Sequence, residues 1–177
     1  MKKLLVALCF PVAALAAEPP DAWDELAKFG PIETILVTAP TQPTPFLTGY
    51  LPETKTCHLL VNTLAIQPAG LEYHVQRTHE AGHCIALRAA VPNAGGLYPW
   101  AMRMSEAFAD VYTLAWYFRN EPASFEEVFL LLNDTRKVSR RQSSAYDTLL
   151  PMNRARALLM ATSPAPDPAT FTLEMFK

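Results

Sequence analysis

His79-Glu80-Ala81-Gly82-His83 is the stretch from which both the fold and the chemistry of this chain are read. On a helix, residues four apart share a face, so His79 and His83 can present neutral imidazole nitrogens to one metal ion. Glu80 follows the first histidine and sits on the neighbouring edge. There its carboxylate can take a proton from water rather than bind the ion. Ala81, Gly82, Cys84 and Ile85 are small or apolar, which suits a helix buried against a core with one polar edge left to a cleft. Gly82 costs about 1 kcal/mol of helix propensity relative to alanine, so its presence points to the close approach of another element.

A catalytic zinc takes three protein ligands and leaves a fourth position to water, so one ligand is missing from this helix. The chain has four histidines and none follows His83. A third histidine six residues on is excluded, because Ala89 stands there. The missing donor is therefore sought among carboxylates. Ser105-Glu106-Ala107-Phe108-Ala109-Asp110 lies in a strongly helical stretch, residues 102–118, and puts Glu106 and Asp110 on one face at four-residue spacing.

The combination of His-Glu-x-x-His with a downstream Glu-x-x-x-Asp resembles the zincin metallopeptidases, and among them the gluzincin branch. It covers residues 71–119. The resemblance implies that His79, His83 and Glu106 bind Zn2+, and that Glu80 is the general base. It also implies that Asp110 accepts the second ring N–H of a ligating histidine, fixing its tautomer. Aspartate serves as the third ligand in some zincins, so Asp110 with Glu106 as its neighbour is a second assignment. Arg77 departs from the pattern, which has an uncharged residue two before the first histidine. The implied activity is hydrolysis of a peptide or protein substrate laid along an edge strand, with Glu80 carrying the proton from water to the leaving amine. Tyr98, Tyr146 and His58 are candidate donors to the developing oxyanion. A non-catalytic exported module of the same fold, serving binding or assembly, is the alternative.

Met1-Lys2-Lys3, an apolar run over residues 4–16 and small residues at Ala14-Leu15-Ala16 read as a secretory signal peptide. The apolar run is too short to span a bilayer, and no other segment approaches the required length, so no stable membrane anchor is expected. Cys9 follows Leu8, where a lipid-anchor motif would have a small residue, so lipidation is not expected. The remaining residues, 17–177, are enough for a single domain with a sizeable core, half of the whole chain being hydrophobic. Loss of Lys2 and Lys3 leaves 13 basic residues against 17 acidic ones, a net charge of −4 that offers no general attraction to nucleic acid. Arg136, Lys137, Arg140 and Arg141 read as a solvated helix end that complements the helix dipole. Export permits a Cys57–Cys84 disulfide, although two separately buried thiols fit the sequence equally well.

The elements expected are a short helix over residues 21–29, strands over 32–38 and 57–64, and an exposed proline- and threonine-rich loop over 40–56. The His-Glu-x-x-His helix should run over 69–90 and end before Pro92, with a turn at 93–96. Ser124-Phe125-Glu126-Glu127 offers a capping box for a helix to about residue 133. A further helix spans 152–161, and 163–177 reads as a loosely ordered tail because of its prolines. The fold class expected is α+β: a small sheet beside two ligand-bearing helices, supported by C-terminal helices.

Overall fold

The computed structural model describes residues 21–27, 30–41, 44–65, 70–91 and 99–177, so the segment read as a signal peptide, the turn expected at 93–96 and Tyr98 lie outside the described residues. The chain is α+β. In order come α1 (Ala22–Ala27), β1 (Ile32–Val37), β2 (Phe46–Leu51), β3 (Thr56–Asn62), α2 (Leu71–Arg88), α3 (Pro99–Asn120), α4 (Phe125–Ser139), a 3-10 turn at Ser144–Tyr146, α5 (Leu149–Met160) and α6 (Pro168–Met175). Among the described residues, no helix is long and apolar enough to cross a membrane.

β3 is central in the sheet, parallel to β1 and antiparallel to β2, so β1 and β2 are the edges. Alternation along β3 decides which face is buried. Cys57, Leu59 and Val61 point toward α2 and are buried, and Cys57 is joined to Cys84 of α2 in a disulfide. That bridge closes a separation of 27 residues, and stabilises the fold by about 3–4 kcal/mol in the loop-entropy model. Register places Phe46, Thr48 and Tyr50 of β2 opposite Val61, Leu59 and Cys57, on the same face toward α2.

α3 is the hub. Its residues Phe108, Val111, Leu114 and Tyr117 are fully buried, and α2, α4, α5 and α6 all pack on it. α2 comes close to α3 at Gly82, where a Cβ would stand 2.7 Å from the Ala109 Cα. Gly82 lies between the two histidines and Ala109 between the two acids, so this contact brings the two polar faces together. Gly82→Ala is expected to destabilise. The obstacle is backbone, and overpacking of about 1–3 kcal/mol exceeds the roughly 1 kcal/mol gained in helix propensity. A urea midpoint equal to or above that of the parent chain would contradict the contact.

Four expectations are corrected. The segment 40–56 is not one loop, because its middle forms β2 and a turn leads into β3. Pro45 and Pro52 flank the strand rather than interrupt it, while Phe46 buries against Tyr73 with ring centroids 4.9 Å apart. Ser124 makes no side-chain cap, and α4 continues past residue 133 to Ser139 because its buried stripe Val128, Phe129, Leu132 continues to residue 136. α5 begins three residues earlier than expected. Pro151 falls in its first turn, where the missing N–H costs no helical bond. Finally, residues 163–177 are not a loose tail. Asp167 caps α6 by accepting from the Thr170 N–H, Pro168 occupies the first turn, Thr172 is fully buried and Phe176 packs on Phe108.

Candidate metal centre

α2 presents His79 and His83 on one face, with their Nε2 atoms 3.1 Å apart. From α3, Glu106 places Oε2 3.3 Å from His79 Nε2 and Oε1 3.6 Å from His83 Nε2. Zinc–donor bonds of about 2.0–2.1 Å in a tetrahedron separate donors by about 3.3–3.4 Å. These separations bracket that value, although each imidazole faces a different oxygen of Glu106, and two imidazoles with one carboxylate form a donor set suited to zinc. His79, Glu80 and His83 also offer ligand atoms within 4.8 Å of one another, so Glu80 stands beside the same point.

Asp110 lies behind His79, fully buried, with Oδ1 3.0 Å from His79 Nδ1. It also receives the Thr148 hydroxyl at 2.6 Å and two guanidinium N–H groups of Arg136 at 2.8 Å. Its carboxylate is therefore committed to holding other side chains. His83 Nδ1 meets the Ser105 hydroxyl at 2.9 Å, so each imidazole is oriented through its second nitrogen. Thr48 of β2 shares its hydroxyl hydrogen between the Glu80 carbonyl at 2.7 Å and the Glu80 carboxylate at 2.8 Å. The edge strand thus steadies Glu80.

Arg136 corrects the expectation of a solvated basic cluster. It is buried and reaches from α4 to Asp110 and to Glu106, the latter at 2.8 Å. It was legible, in retrospect, as an arginine on the apolar stripe Phe125, Val128, Phe129, Leu132. Thr48, Ser105 and Thr148 carried no comparable signal, because each reaches the site from a position that only tertiary packing defines.

Electrostatics follow from this network. Burial disfavours a charge on His79, but Asp110 and Glu106 together outweigh it and raise its pKa to about 9. His83 is lowered, by burial first and then by the charge on His79. Burial would raise the Glu106 carboxyl, yet His79, His83 and Arg136 bring it to about 2. Asp110, against the same burial, is held far below the usual carboxylate range by Arg136 and His79. Two depressed acids stabilise the fold above their unfolded values near 4, and that contribution is lost as pH falls toward 2. A raised His79 stabilises below 6.5, and its contribution is lost as pH rises through about 9. The lowered His83 acts the other way on the acid side, costing stability as pH falls below 6.5, so chelator-treated protein is expected to have its highest denaturation midpoint near pH 6.5, falling on both sides. A flat midpoint from acid to alkali would show that the network does not contribute.

A cleft of about 540 Å³ runs along α2 from this centre. Thr44 to Leu47 form one bank, and Leu131, Leu132, Thr135, Arg136 and Tyr146 the other. Of the three proposed oxyanion donors, Tyr146 lines the cleft, with its ring 5.6 Å from the Arg136 guanidinium. His58 does not; it lies on the opposite face of the sheet, 3.3 Å from Glu33. His74 lines a separate cavity with Asp21 and Arg77. Arg77, the departure from the zincin pattern, pairs with Asp21 at 3.0 Å, while its carbonyl accepts from the Trp23 indole, fastening α1 to α2. No protein-family model, curated protein or solved structure matches the chain.

Proposed function

We propose that the chain is an exported zinc-dependent metallopeptidase in which His79, His83 and Glu106 hold the metal and Glu80 is the general base. The observation that carries this reading is the convergence of the His79, His83 and Glu106 donor atoms within 3.1–3.6 Å, with Glu80 beside them. When bound, zinc would supply Lewis acidity, acidifying a water and polarising a carbonyl. Glu80, steadied by Thr48, takes the proton from water and returns it to the leaving amine. Asp110 and Ser105 hold the two imidazoles. β2 is an edge strand on the bank of the cleft, so an extended peptide can pair with its free backbone groups. Phe46, Val75, Leu131 and Leu132 line the space beside it, which suits an apolar side chain next to the scissile bond.

A second reading rests on Arg136. Its guanidinium bonds both Glu106 and Asp110, and together with a protonated His79 it balances their two charges without an ion, which fits an exported binding or assembly module. Incubation of the zinc-loaded chain with an unfolded protein separates the two. Cleavage that chelator stops and zinc restores supports the peptidase; stable binding without cleavage supports the module.

A further inference from the structure

Glu106 has two carboxylate oxygens, and they are not equivalent. Oε2 accepts from Arg136 Nη2 at 2.8 Å and lies 3.3 Å from His79 Nε2, while Oε1 is turned toward His83 Nε2 at 3.6 Å. The charge-assisted bond commits Oε2 to the guanidinium and leaves Oε1 as the free donor. Arg136 is itself fixed. Its Nε and Nη2 grip the two oxygens of Asp110, both at 2.8 Å, and Asp110 is fully buried and further held by Thr148. Arg136 Nη2 lies 3.4 Å from His79 Nε2, so the guanidinium stands at the rim of the space the donors enclose.

We propose that Arg136 is a positioning residue that makes Glu106 a one-oxygen ligand, so that three protein donors hold the zinc and a fourth position stays open for water. This inference rests on the metallopeptidase reading of the same site. A glutamate free to turn can bind an ion through both oxygens and fill the position that water needs. Arg136 prevents this by occupying the second oxygen. It also explains why a cation is tolerated so near the ion: three carboxylates, Glu80, Glu106 and Asp110, balance one guanidinium and one divalent cation. The guanidinium's fork is required, because it must hold Asp110 and Glu106 at once, and a lysine ammonium cannot reproduce that planar geometry.

Cobalt substitution reads coordination without reference to activity. The wild-type chain loaded with Co2+ is expected to show the intense visible bands of a four-coordinate ion. Arg136→Gln is expected to bind one equivalent with bands several-fold weaker, as Glu106 adds its second oxygen, and Arg136→Lys should recover them only in part. Bands of unchanged intensity in Arg136→Gln at full loading would overturn the role of Arg136 alone. Failure of the wild-type chain to take up cobalt would overturn the metal site and this inference together. Should both variants fail to fold, X-ray absorption at the zinc edge of the wild-type holoprotein decides. Four light-atom neighbours at about 2.0–2.1 Å are expected, and a fifth, longer carboxylate oxygen would overturn the proposal.

Discussion

Glu80→Gln is expected to lower peptide hydrolysis by about 10²–10⁴-fold while leaving zinc content and fold intact. The substitution preserves shape, and the amide oxygen can still accept from the Thr48 hydroxyl that bonds Glu80 now. What it removes is the ability to accept a proton from water and pass it on. Glu80 is not among the three donors with the tetrahedral separations, so metal content should not follow activity. A fall of less than about ten-fold in rate would remove Glu80 from the general-base role. Loss of zinc in this variant would instead make it a ligand.

Asp110→Ala is expected to have the largest effect on stability, about 3–5 kcal/mol, the cost of breaking a buried ion pair from one side. Four groups lose a partner at once: Arg136 Nε, Arg136 Nη2, the Thr148 hydroxyl and His79 Nδ1. The guanidinium suffers most, since it is buried and loses its bidentate acceptor while Glu106 alone remains. Because Asp110 sits on α3, Arg136 on α4 and Thr148 just before α5, the loss should be cooperative across the helical half of the molecule. A shift in the urea midpoint equivalent to less than about 1 kcal/mol would mean that solvent reaches Arg136 when Asp110 is gone. Asp110→Asn keeps one acceptor and should fall between the two.

The parts of this architecture visible in the sequence were those whose logic is local. Helical periodicity put His79 with His83 and Glu106 with Asp110, and the helix-weakening Gly82 pointed to the close approach of another element, which is α3. The cysteine pair is joined, although its spacing left bridged and free thiols equally open. Elements defined by competing local signals were harder. β2 was hidden by the prolines at its ends, and α6 by the two prolines before it and the one at its first position, although Asp167-Pro168 is a helix start in its own right. Arg136 was least accessible, since a buried cation and a solvated helix-end cation look alike until the acids that pair with it are placed in space. Its position on the buried stripe of α4 is the residue-level clue.

The most direct test is the metal content of the chain, purified without added metal, beside His79→Ala and Glu106→Ala. About one equivalent of zinc in the parent, lost in both variants, is the expected result for a site with three protein ligands. No zinc in the parent, or zinc undiminished in the variants, would contradict the assignment and leave the acids of α3 as partners of Arg136 alone.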